Sequence, residues 1–497
     1  MKRRQFAVST LGLAGGLAVA PSWVHAGPKD GSLTLGMVLE PPGLDPTTGA
    51  ASAIAEVVLY NVFETLTKIG PGGKVTPLLA ERWSVSDDQK TYTFRLRPGV
   101  RFQNGKPCDA EAVRFSLMRA GAEGSVNKDK AFFASFASVE ARDAQTVVIT
   151  LKAPEPDFLF MMGQATAIIV EPDSVAANAT KPVGTGPYQL ARWNRGSSLT
   201  LSAWPGFRDP ASIRIKRVSF RFISEPAAQV AALLARDVDA FPRGTEHGVG
   251  RFQKNPAYQV MVSGSRAKTV LAINNARAPL DDVRVRRAIA AAIDRKAVLA
   301  AGQKGYGTPI GSHYVPGAPG YVDTTGINAH DPDKARALLK EAGITTPLKL
   351  TITLPPPAYA RQGAEVVMAQ LAKVGIICTG RPVEWAQWLE GTYRHRDYDL
   401  TIISHVEPLD LGNFVKSGYY WGYESPRFKA LYERIRTELD EPKRLAMLGE
   451  AQRMLAEDCV LAWLYQPHWV TIADRKLQGL WDDMPILCND LSALHWG

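Results

Sequence analysis

The chain is short of the features that mark specialised protein classes. Only four cysteines, Cys108, Cys378, Cys459 and Cys488, occur in 497 residues. They are too few and too widely spaced for a disulfide scaffold or a Cys-rich zinc site. An oxidising compartment would still permit one bridge, and Cys459 with Cys488 is the candidate pair. No apolar run reaches the roughly 20 residues that cross a bilayer as a helix. There is no repeat of fixed period, and no low-complexity tract longer than Pro355-Pro356-Pro357, so solenoid and fibrous architectures are excluded. His-Glu-x-x-His, a complete phosphate loop and Gly-x-Ser-x-Gly are all missing. The stretch Gly70-Pro71-Gly72-Gly73-Lys74-Val75 has neither the glycine spacing nor the Ser/Thr of a phosphate loop. The eight histidines are dispersed, and His405 with Glu407 or His395 is the nearest approach to a metal-ligand set. The expectation is therefore a non-enzyme with no cofactor and no metal.

What is present is an ordinary globular composition, 45% apolar and 22% charged, long enough for a core divided over two or three domains. With 58 Lys+Arg against 49 Asp+Glu the net charge is +9, a mild excess that weakly favours an anionic ligand or a negative membrane surface. The opening MKRRQFAVSTLGLAGGLAVAPSWVHA has a basic start, an apolar middle and small residues before the end. It predicts a secretory signal peptide cleaved after Ala26. Arg3-Arg4-Gln5-Phe6 resembles the twin-arginine export signal, and a periplasmic location follows.

The first third reads as short alternating strands separated by turns, with two helical patterns. SAIAEVVLYNVFETL carries apolar residues at helical spacing, and CDAEAVRFSLMRA has Asp109 placed to cap its first turn. Beyond residue 210 strands and helices alternate: IRIKRVSFRFI, EPAAQVAALLARDVDAF, TVLAIN, DPDKARALLKEAG, LKLTITL and YARQGAEVVMAQLAKVG. This order predicts mixed or parallel sheets covered by helices.

The segment LDDVRVRRAIAAAIDR crowds four arginines into an apolar run. Asp281 or Asp282 is placed as N-cap, and Val285, Ala288, Ile289, Ala292 and Ile293 share one face. Arg284, Arg287 and Arg295 fall off that stripe and Arg286 borders it. Without interleaved aromatics the cluster is no nucleic-acid surface, and no nucleic-acid partner is expected.

The same segment, extended to NNARAPLDDVRVRRAIAAAIDRKAV, resembles the signature of the periplasmic solute-binding proteins of dipeptide and oligopeptide ABC importers, solute-binding family five. YNVFETLTKIGPGGKVTPLLAERWSVSDDQKTYTFRLRPGVRFQNGKPCDAEAVRFS, KPVGTGPYQLARW, VAALLARDVDAF, DPDKARALLKEAG and LAKVGI resemble that family in the same order, from about residue 33 to 475. The resemblance implies an α/β, two-lobed periplasmic binding protein fold, type II and cluster C-like, with an extra domain inserted in the first lobe. The implied boundaries are 1–26 signal peptide, 27–54 first lobe, 55–178 inserted domain, 179–268 first lobe continued, 269–474 second lobe, and 475–497 return to the first lobe. It also implies a monomer that closes over a peptide or similar small solute and delivers it to ABC permease subunits. The alternatives are a sensing or chaperone-like receptor on the same fold and, behind it, a secreted hydrolase.

In peptide-binding members an Asp takes the ligand's ammonium and an Arg its carboxylate, contacts strengthened where water is excluded. Asp410 and Arg361 fall at those motif positions. The surroundings depart from the family: HVEPLDLGNFVKSGYYWGY is aromatic and brings its own His405 and Glu407. Trp385, Trp388, Tyr419, Tyr420 and Trp421 are candidates to stack on a ligand. Leu44, Asp45, Thr185, Gly186, Asn274 and Asn275 occupy family positions bordering the cleft.

Overall fold

The computed structural model describes residues 31–244 and 246–497. The expected signal peptide, its Arg3-Arg4 pair and its cleavage after Ala26 lie outside the described residues. None of the described helices is long and apolar enough to cross a membrane.

A twelve-stranded mixed sheet organises the chain. Its path runs Ile376–Pro382, Leu348–Leu354, Leu400–His405, Lys268–Ile273, Leu461–Asp474, Ala240–Gly244, Ser32–Met37, Arg217–Phe222, Ser198–Ala203 and Tyr188–Asn194. Parallel pairing joins Ser32–Met37 to Arg217–Phe222, and Leu348–Leu354 to Ile376–Pro382. The other long ladders are antiparallel, among them Lys268–Ile273 with Leu400–His405.

The 14-residue strand Leu461–Asp474 belongs to both ends of this sheet. Its first half pairs with Lys268–Ile273, its second half with Ala240–Gly244 and Tyr258–Gly264. Between the halves sits Pro467, paired with Gly307. Gln466 Nε2 donates to the Ser265 and Pro316 carbonyls, and Ser265 Oγ donates to the Pro467 carbonyl. Side-chain hydrogen bonds thus replace ladder bonds where the strand has a proline and cannot donate.

Separate cores lie on the two sides of this joint. One gathers Leu35, Ile54, Val57, Phe63, Val218 and Phe220 with Leu491 and Leu494 from the C-terminal segment. On the other side Leu271, Ile289, Ile352, Val367 and Leu400 form one cluster, and Trp388, Phe414, Trp421 and Trp463 an adjoining one. A four-stranded antiparallel sheet, Ala80–Val85, Thr91–Leu96, Thr146–Leu151 and Phe136–Asp143, packs under helix Ala110–Gly121 with its own core around Phe94, Phe133 and Phe158.

The elements follow local sequence closely. Asp109 caps helix Ala110–Gly121 by accepting from Ala112 N, and Asp282 caps helix Val283–Ala291 by accepting from Arg284 N. Gly343 and Gly375 take positive φ just past their helices, the left-handed geometry that glycine adopts without penalty. Two expectations are corrected. The helical pattern over 52–66 yields a helix only at Ser52–Val58, because Tyr60 turns to φ +62° and buried Asn61 bonds the Val57 and Asn489 carbonyls and accepts from Leu491 N. The Cys459–Cys488 bridge is absent: all four cysteines are free, and these two sit in different cores.

The arginine-rich helix is also less solvated than its sequence implied. Arg286 is buried, and its guanidinium donates to the carbonyls of Leu280, Asp281, Asp458 and Cys459. Arg287 donates to the Glu457 carbonyl, and Arg295 to those of Trp463, Thr325 and Asn328. Three of these acceptors, Glu457, Asp458 and Cys459, end helix Glu441–Glu457. Its unpaired carbonyls and negative dipole end are thereby satisfied by cations.

Candidate functional site

Strand pairing places Lys268 directly opposite His405, and the loop that follows His405 folds back so that Asp410 reaches both. Asp410 Oδ1 lies 2.7 Å from Lys268 Nζ. Oδ2 lies 2.9 Å from His313 Nε2 and 3.7 Å from His405 Nδ1. Lys268 also donates to the Glu407 carbonyl. The side chains of Lys268, Asp410 and His313 are 2%, 6% and 0% exposed, so this is an interior network rather than a surface ion pair.

Its electrostatics are those of one neutralised pair flanked by two neutral imidazoles. Burial alone would raise the Asp410 carboxyl, but His313 and Lys268 outweigh it and hold the group well below the usual carboxylate range. Burial, then His313, holds the His405 imidazole down to about 4. Burial likewise lowers His313, against the pull of Asp410.

Among the described residues, His313, His405 and Asp410 form the one group whose donor atoms cluster within 4.8 Å, as a metal's ligands would. The Lys268 ammonium on the same carboxylate opposes that use, since a second cation would be buried beside it.

Aromatic contacts run outward from this network. His405 stacks on Tyr420 with ring planes 13° apart and shares a 2.9 Å hydrogen bond with its hydroxyl. Tyr420 touches Trp388 and Tyr393, and Tyr393 touches Tyr419. Trp388 is anchored by Nε1 donating to Thr401 Oγ1 at 3.0 Å. It opens a π-helical turn, Trp388–Arg394, a backbone form often found at functional sites. Around this packed interior an apolar rim faces solvent: Trp385, Leu389 and Tyr393 are 42%, 49% and 41% exposed. At the edge of the rim Arg361, exposed at the start of helix Ala358–Ala372, has a long 3.7 Å contact to the exposed Glu384. Solvent screening leaves little strength in such a pair.

The other sequence candidates are occupied by the fold. Leu44 is fully buried in a core. Asp45 accepts from Thr47 and lies 3.8 Å from Arg119, beside a cavity of about 310 Å³ lined by Thr47 and Arg119. Thr185 is buried, and Gly186 donates its N–H to the Val62 carbonyl. Asn274 bonds the Arg396 and Tyr398 carbonyls, and Asn275 those of Ile273 and Val460. Tyr420 and Trp421 are interior, Trp421 stacked on Phe414 at 4.5 Å. These residues are buried or bonded to neighbouring groups, although Thr185 Oγ1, Asn275 Oδ1 and Trp421 Nε1 find no hydrogen-bond partner among the described residues. Arg361, Trp385, Glu407 and, in part, Tyr419 remain open to solvent. Sequence reasoning missed Lys268, His313, Leu389 and Tyr393. The available signal for Lys268 was a charge at the head of the apolar strand KTVLAI.

Residues 74–426 match the family described as bacterial extracellular solute-binding proteins, family 5 Middle. The chain is 30% identical over 339 residues to the glutathione-binding protein GsiB of Escherichia coli K12, a stretch covering 67% of this chain and 66% of that one. About a third of that relative thus lies outside the match. In fold it is similar to the periplasmic binding protein AgaA of A. tumefaciens, solved with agropinic acid (TM-score 0.82, 24% identity, 94% of this chain and 99% of that one). It is also similar to the ABC transporter-associated periplasmic binding protein DppA of Helicobacter pylori, solved with peptide STSA (TM-score 0.82, 23% identity, 94% and 98%).

Proposed function

Because the chain belongs to the bacterial extracellular solute-binding proteins of family 5, we propose that it captures a small solute outside the cytoplasm and hands it to the permease of an ABC importer. The signal-like N-terminus, with its twin-arginine pair, supports export to the periplasm. The lobes of this reading are 27–54 with 179–268 and 475–497, and 269–474, the stretch 55–178 being inserted in the first. The observation that carries the reading is the apolar rim of Trp385, Leu389 and Tyr393 with Arg361 at its edge. Large side chains left in water at the border of a packed aromatic interior have a use if a ligand covers them. Arg361 suits a carboxylate, and the rim a flat or aliphatic part, so the solute is a peptide-like or similar organic acid. Ligand that touches both lobes favours the closed form, and that differential affinity is what a permease can read.

The test is mass spectrometry of the protein purified from its native periplasm, under native and denaturing conditions, followed by calorimetric titration of the mass found. A released organic solute that rebinds one-to-one is the expected result. Protein that carries nothing and binds no member of a peptide and organic-acid library contradicts the reading.

A further inference from the structure

The Asp410 carboxylate already carries a cation on one oxygen and an imidazole on the other. Lys268 Nζ sits on Asp410 Oδ1 at 2.7 Å, His313 Nε2 on Oδ2 at 2.9 Å, and His405 Nδ1 closes the same oxygen at 3.7 Å. Lys268 also donates to the Glu407 carbonyl, and its side chain is 2% exposed. A buried carboxylate without a counter-ion would ordinarily be the strongest attractor for a cationic group. Here that attraction is spent inside the protein, and a second ammonium would meet a net neutral pair flanked by two imidazoles.

We propose that Lys268 is a built-in counter-ion filling the ammonium-accepting position of Asp410, so that the solute is held by its anionic and apolar parts without a cationic amine. This rests on the rim being the solute-binding face. It makes Lys268 a specificity-determining residue that need never touch the solute: removing its charge would turn Asp410 into an open cation site. The solute class narrows to organic acids and acidic peptide-like molecules whose amine, if present, is not anchored at Asp410.

The chemistry can be tested without knowing the solute, using methylammonium as the probe and thermal unfolding as the readout. The wild-type protein should unfold within about 1 °C of the same temperature in methylammonium chloride and in sodium chloride of equal concentration, because nothing binds. Lys268→Ala should unfold at a lower temperature and be restored by methylammonium but not by tetramethylammonium, which cannot donate a hydrogen bond. Asp410→Asn should show no such response. Stabilisation of the wild type by methylammonium that disappears in Asp410→Asn overturns the proposal, as does a folded Lys268→Ala that ignores the probe. The wild-type titration decides alone if Lys268→Ala fails to fold, and the double variant Lys268→Met/Asp410→Asn, which removes both charges, should then fold and ignore methylammonium. A solute recovered with the protein that loses more than about tenfold in affinity on acetylation of its amine also overturns it. A failed search for any solute would count against the functional reading and leave the ammonium result standing.

Discussion

At the scale of single residues, the chain places charges where its sequence gives little warning. Lys268 heads a strand of Thr269 and four apolar residues, and only the fold shows that its partner is Asp410, 142 positions later. Arg286 was legible as bordering a buried stripe, but not as the donor to four carbonyls, since those lie in segments brought together by tertiary packing. Arg286→Ala should cost about 3 kcal/mol or more by stranding buried carbonyls, and Arg286→Lys should recover only part of that; urea denaturation measures both. His405 gives a pH prediction. Its imidazole titrates near 6.5 when exposed and about 4 in the fold, so between those values the unfolded chain binds a proton that the folded chain refuses. Stability therefore falls as the pH drops from 6.5 towards 4. In His405→Gln the slope of stability against pH across that window should flatten by about one proton, as read from unfolding midpoints in matched buffers.

At the scale of elements, local chemistry was the best guide. Capping aspartates, terminal glycines and period-two strands announced helix Ala110–Gly121, helix Pro332–Glu341, strand Leu348–Leu354 and helix Ala358–Ala372 at nearly their observed bounds. The pattern over 52–66 misled because helical spacing continues past the point where Asn61 and Tyr60 are claimed by distant backbone. Gly184 belongs to the same junction: a Cβ there would lie 1.9 Å from the Val62 carbonyl oxygen, so Gly184→Ala should express poorly or unfold at markedly lower temperature. The aromatic rim was half legible. Trp385 and Trp388 stood out as residue types, yet only the fold shows Trp388 anchored inside on Thr401 and Trp385 left in water. Trp385→Ala and Arg361→Ala should each weaken solute binding about tenfold or more while shifting the unfolding temperature little, because both side chains are exposed. Calorimetry paired with thermal unfolding separates the two effects.

At the scale of the whole molecule, the resemblance carried by ordered motifs anticipated the family, and the two-sided arrangement of cores about one sheet agrees with the fold of its structural neighbours. What could not be read was the joint, because strand order is set by pairings between segments hundreds of residues apart. Hydrogen exchange should find the amides of Leu461–Tyr465 and Val470–Ala473 among the slowest, and those of the edge strand Tyr188–Asn194 faster by about 100-fold or more, since central strands open only with their cores.

On the two-lobed reading, that shared strand would also constrain the motion the protein makes. Two bodies tied by a slack loop drift in every direction, whereas two bodies spliced into one ribbon can be neither pulled apart nor slid. On that reading the ribbon would wind or unwind near Pro467, where the Gln466 and Ser265 side chains bond to backbone carbonyls beside the pairing with Gly307–Pro309. Capture and release would then be a rotation about one axis, and a downstream partner would sense an angle rather than a separation.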